Sequence, residues 1–149
     1  MLLVANTRRL ALISFSGSAF IGTAAVALDH PSVAAVAAAP KSFIGKSIGF
    51  RAASCVDDPK GGFICRVTSG SHVLRIEASA LGAAGGDLVA ERLIGPCKGR
   101  DQLDSPTCRF DIEIEPRSAQ DEATVAEFEG ERATRLYSGV IQMRLASRR

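Results

Sequence analysis

The clearest chemistry in this 149-residue chain belongs to its four cysteines, Cys55, Cys65, Cys97 and Cys108. An even count in a short chain with an export-type N-terminus reads as a disulfide framework. Three connectivities are open, and the pairs Cys55–Cys65 and Cys97–Cys108 are favoured because each encloses a short, turn-rich segment. Asp57-Asp58-Pro59-Lys60-Gly61-Gly62 lies in the first, and Asp101, Asp104, Ser105 and Pro106 lie in the second. A structural zinc site would need two close Cys-x-x-Cys-like pairs, and redox catalysis a Cys-x-x-Cys or a lone activated thiol. Neither spacing occurs, so the expectation is no metal and no cofactor.

The remaining reactive types form no constellation. His30 and His72 are the two histidines, and His72 adjoins Ser71 in a turn. Neighbours in an extended chain point to opposite sides, so a Ser–His pair is not expected there. Asp111, Glu113 and Glu115 share one strand face, which a half-wetted strand requires without any catalytic role. Gly45-Lys46-Ser47 ends like a phosphate-binding loop, but Pro40 stands where its first glycine belongs and no strand-to-helix context surrounds it. Arg51, Arg66, Arg75, Arg109, Arg132, Arg135 and Arg144 occupy outward positions, interleaved with acids. The formal charge is +2. Such a balance gives no basic stripe, so nucleic acid is not an expected partner.

The first 37 residues read as a secretory leader. Arg8 and Arg9 precede the uncharged run LALISFSGSAFIGTAAVAL, and small residues follow. A positive end, an apolar stretch and a small-residue cleavage site are the parts such a leader needs. Thr7-Arg8-Arg9-Leu10 also offers a twin-arginine pair. Two cleavage sites are available, Ala25-Val26-Ala27 and Ala35-Val36-Ala37, with the second favoured. Residues 38–41 then read as a linker and 42–149 as one disulfide-bonded β domain. Membrane contact is expected only through an uncleaved leader, because Ser14, Ser16, Gly17, Ser18, Gly22 and Thr23 dilute the run as a spanning helix.

Beyond Ser42 the apolar spacing is mostly two, the signature of strands. Ile48, Phe50 and Ala52 alternate with polar or small residues to give a first strand. Phe63, Cys65 and Val67 give a second, across a hairpin loop, and Val73 to Ala80 a third. Asp87 to Ile94 has helical spacing, with Asp87 placed to cap it and Gly95-Pro96 to stop it. In Cys108 to Glu115 every even position is apolar, and Pro116 is expected to end that strand before a polar loop from Arg117 to Ala123. A last strand region covers Thr124 to Phe128 and Leu136 to Leu145.

Three strands, a short helix between strands three and four, then two or three more strands resembles the OB-fold, a small Greek-key barrel. The likeness spans about Ser42 to Ser147 and is one of topology. It implies a mainly β domain with a ligand-binding outer face. The function expected is that of an exported, periplasmic or extracellular, non-enzymatic domain that binds a protein or glycan of the cell envelope. A small hydrolase and a single-stranded nucleic-acid or anion-binding module are the alternatives. Stacking aromatics for nucleic acid are scarce, because Phe50, Phe63 and Phe110 are in phase with the core.

Overall fold

The computed structural model describes residues 27–120 and 130–147. Five strands form a closed barrel: β1 (Ile48–Asp57), β2 (Phe63–Ser69), β3 (His72–Leu81), β4 (Arg109–Gln120) and β5 (Thr134–Leu145). Their order around the barrel is β1-β2-β3-β5-β4, with β4 closing back onto β1. Only β3 and β5 run parallel. The intervening segment carries α2 (Gly86–Ile94), so the mainly β Greek-key barrel with one helix between the third and fourth strands is the observed fold. Closure removes the free edges that an open five-stranded sheet would expose.

Inward positions fill one core. Ile48, Phe50, Leu74, Ile76, Phe110, Ile112, Ile114, Leu136, Ile141 and Met143 belong to it, and Val89 and Leu93 of α2 join them. The helix is preceded by Gly85 at its N-cap position, whose φ of +90° only glycine adopts readily. A Cβ there would lie 2.3 Å from the Met143 carbonyl oxygen. Asp87, expected as the cap, sits in the first turn instead.

A second apolar cluster lies on the outer side: Val56, Ile64 and Val73 of the barrel wall, Ala133, and Leu103. Leu103 follows a 3-10 turn, Arg100–Gln102, in the connection after α2. That connection therefore folds over the outer face of β2 and β3.

Three further expectations are corrected. The first strand does not alternate throughout: Ala52 is exposed at φ +51°, and the register with β4 shifts between Phe50 and Ala53. The bulge reverses the phase, so Ala53 to Val56 are buried and β1 can leave β4 and pair with β2. Pro116 does not end β4, which continues to Gln120. The proline, lacking an N–H, sits between two register shifts with β5, and its carbonyl accepts from the Gly45 N–H at 2.8 Å.

The third correction concerns the N-terminal boundary. Residues 33–38 form helix α1 (Val33–Ala38), capped by the Ser32 hydroxyl, and a 3-10 turn covers Pro40–Phe43. Val33 and Val36 belong to the barrel core and Pro40 is buried. The alanine-rich composition masked a two-sided helix, and residues 38–41 run from its last residue into a 3-10 turn anchored by the buried Pro40, where a loose linker was expected. Even Asp29 pairs with β1: its N–H donates to the Ser47 carbonyl at 3.2 Å and its carbonyl accepts from Gly49 at 2.8 Å. The leader core, residues 1–26, and the strand expected over Thr124 to Phe128 lie outside the described residues.

Candidate functional site

The outer faces of the strands carry a row of arginines that no segment of sequence displays by itself. Arg66 on β2 is the register partner of Arg75 on β3, and Arg75 is the partner of Arg135 on β5. Gln120 of β4 continues the row beside Arg135. Register partners share a face, so three guanidinium-bearing side chains stand on neighbouring strands roughly 4.8 Å apart. Like charges directly opposite one another oppose folding, and acids must offset them.

Glu77, two residues along β3, supplies the central compensation. Its Oε1 lies 2.5 Å from Arg75 Nη2 and 3.5 Å from Arg135 Nε. Arg66 pairs with Asp104 in the connection before β4 and lies 3.9 Å from Glu131. Arg135 Nη1 donates to the Tyr137 hydroxyl at 2.8 Å, and its guanidinium lies 5.7 Å from that ring's centre. Arg75 is buried, and this burial lowers its pKa, helped by Arg135 and Arg100 and opposed by Glu77. An arginine stays charged despite such a shift.

At Arg75 the row borders a cleft of about 340 Å³ at the β1–β2 turn, lined by Asp58, Phe63, Arg75, Glu77, Arg100 and Tyr137 among others. Asp58 is buried and anchors the turn. Its Oδ1 accepts the Lys60 N–H at 3.1 Å and its Oδ2 accepts Arg100 Nη2 at 3.0 Å. Burial pushes the Asp58 carboxyl up, but the Lys60 N–H and the Arg100 guanidinium outweigh it and hold the group below the usual carboxylate range. Lys60, Arg75 and Arg100 against Asp58 and Glu77 leave one positive charge in excess, and Arg135, which shares Glu77, makes it two. That balance is one of described residues; the acidic stretch 121–129 between β4 and β5 lies outside them.

The four cysteines are joined as Cys55–Cys65 and Cys97–Cys108, the favoured pairing. The first links register partners on β1 and β2 just behind the cleft, and the second ties the exit of α2 to the start of β4. Both fix the segments that carry Asp58 and Arg100. Disulfides of this kind fit an oxidising compartment.

The other sequence candidates are dispersed. His72 begins β3 at the β2–β3 turn, opposite Ser69. Asp111 and Glu113 serve β1: Asp111 Oδ1 accepts the Ala52 N–H at 2.9 Å, and Glu113 Oε1 accepts the Ser47 hydroxyl at 3.0 Å. Lys46 of the Gly-Lys-Ser triplet lies over the Phe43 ring. A broader hollow of about 610 Å³ around Ala52 is lined by His30, Arg51, Asp111 and Arg144, whose charged groups are more open to water. Among the described residues no group of three or more His, Cys, Asp or Glu is placed to hold a metal ion. Nor is any helix there long and apolar enough to cross a membrane.

Sequence reasoning placed each arginine outward but did not find the row. The missing signal was register, since Arg66 and Arg75 meet across a turn and Arg135 arrives through a parallel pairing.

Fold and cleft together define a disulfide-bonded, five-stranded OB-type barrel with an arginine-rich outer cleft. No known protein family matches the chain, and no curated protein resembles it in sequence. A solved structure assigned as an aspartyl-tRNA synthetase from Leishmania major Friedlin is similar at 14% identity and a TM-score of 0.46, over 86% of this chain and 23% of that one. The chain thus spans about a quarter of that protein, and the barrel assignment stands on its own strand order.

Proposed function

We propose that this chain is exported, loses its leader after Ala27, and acts outside the cytoplasm as a non-catalytic binding module for a carboxylate-bearing glycan of the cell envelope. The observation that carries this reading is the Arg66–Arg75–Arg135 row beside a cleft that Arg75 and Arg100 line. Planar, two-pronged guanidiniums suit bidentate carboxylate recognition. Tyr137 and Phe63 offer apolar surface beside them, and Asp58 and Glu77 offer acceptors for hydroxyl groups. Both carboxylates are engaged by arginines, which favours binding over proton transfer as the use of this cleft.

Packing supports this processing site. Cleavage after Ala37 would remove Val33 and Val36 from the core and Asp29 from β1, whereas cleavage after Ala27 keeps all three. The two disulfides agree with an oxidising destination.

The test is titration of the purified protein with polygalacturonate, a neutral glucan and inorganic polyphosphate. Binding to polygalacturonate that weakens in Arg135→Gln supports the reading. Equal binding to polyphosphate would turn it into general anion binding, and no binding to any polymer would overturn it.

A further inference from the structure

Leader removal after Ala27 leaves Leu28-Asp29-His30 as the first three residues of the protein. We propose that this amino-terminal tripeptide is a Cu(II) site, with the terminal amine, the Asp29 and His30 backbone nitrogens and the His30 Nδ1 as its four donors. The inference rests on the processing reading above and concerns a different part of the molecule from the arginine cleft.

The donors come from spacing alone. A histidine third in the chain can close a chelate in which three consecutive backbone nitrogens and one imidazole nitrogen surround a single ion. Four nitrogens in a plane are the arrangement that Cu(II) prefers, and Cu(II) binds such ligands more tightly than the neighbouring divalent ions. On binding, both amide protons and one proton of the terminal ammonium pass to solvent, and no oxidant or reductant is consumed. Pro31 follows and has no N–H to compete as a fifth donor.

The structure leaves these residues accessible while fixing what comes after them. Leu28, Asp29 and His30 are exposed, whereas Val33 is in the core. His30 lies over Gly49, its Nδ1 donating to the Gly49 carbonyl at 3.3 Å, and the Asp29 N–H reaches Ser47 at 3.2 Å. Metal binding must exchange these two contacts for metal–nitrogen bonds, and both lie within the first three residues of the processed chain, where local opening is easiest. Competing soft or imidazole sites are few. All four cysteines are in disulfides, and His72 is the other histidine.

The experiment uses protein exported by a bacterial host and purified from the periplasm, its first residue read by N-terminal sequencing. Cu(II) buffered with glycine is then added and the visible spectrum recorded. Expected is a one-to-one complex with the d–d band of square-planar, four-nitrogen Cu(II). Loss of that band in His30→Ala, and in a variant with one alanine inserted between Leu28 and Asp29, supports the site; His72→Ala should keep it. A first residue other than Leu28 would overturn the processing reading and the site with it. A first residue of Leu28 with no such band, or with a band that survives the insertion, would overturn the copper site alone.

Discussion

Ala52 donates its backbone N–H to the Asp111 carboxylate at 2.9 Å while holding a φ of +51°, and this contact fixes the bulge at which β1 changes partners. A left-handed alanine costs about 1–2 kcal/mol relative to an ordinary conformation. Glycine would remove that cost while making the unfolded chain more flexible. Ala52→Gly should therefore raise stability by roughly 0.5 kcal/mol, and Ala52→Val should lower it by more than about 1 kcal/mol. Urea midpoints would check this, and the opposite order would contradict the bulge.

The strand phase of β4 gives a sharper contrast. Ile112 is 4% exposed in the core, while Glu113 faces outward to Ser47. Ile112→Asp buries an unpaired carboxylate and should cost more than about 4 kcal/mol, enough to unfold much of the population. Glu113→Lys should cost about 1 kcal/mol or less. Comparable effects in thermal melts would overturn the register.

Both disulfides close short loops, with sequence separations of 10 and 11. Restricting such loops stabilises by on the order of 2–3 kcal/mol each. Cys55→Ala/Cys65→Ala and Cys97→Ala/Cys108→Ala should each lower the urea midpoint by a comparable amount. Alkylation of the unreduced protein should find no free thiol, and four labelled cysteines would contradict the framework.

The Asp58 carboxyl is held below its ordinary range, so the folded state favours its charged form. Its contribution is fully present above the unfolded-state value and fades as pH falls through the folded one. Wild type should exceed Asp58→Asn in stability at pH 7, and that gap should narrow steadily on acidification. Urea midpoints of both proteins across the acid range measure it; a gap that widens toward low pH would reverse the sign of the argument.

Packing of α1 predicts the effect of trimming. A chain beginning at Leu28 keeps Val33 and Val36 in place, whereas one beginning at Ala38 exposes the surface they cover. Each buried valine contributes about 1.5–3 kcal/mol, so the shorter chain should melt well below the longer one. Equal melting temperatures would show α1 to be dispensable.

Much of the barrel was legible in the residues. Alternation in Cys108 to Glu115 sets which side of β4 is buried, because the side-chain period of a strand is fixed by the backbone. Turn formers between Cys55 and Cys65, and again before Cys108, indicated the disulfide pairing for a local reason, since short loops bring their ends together cheaply. Strand order with a helix after the third element was enough to suggest the topology.

Other features had no local signature. Ala52 fits the alternating pattern, and only the need of β1 to serve both β4 and β2 turns it outward. Val33 and Val36 sit among alanines that also suit a leader, and only the open end of the core decides that they are folded chain. Arg66, Arg75 and Arg135 were each recognisable as outward residues. Side-chain phase is a property of each strand and is written in its own sequence. Alignment between strands is decided by closure of the whole barrel, and closure is what set three separate arginines side by side on one outer face.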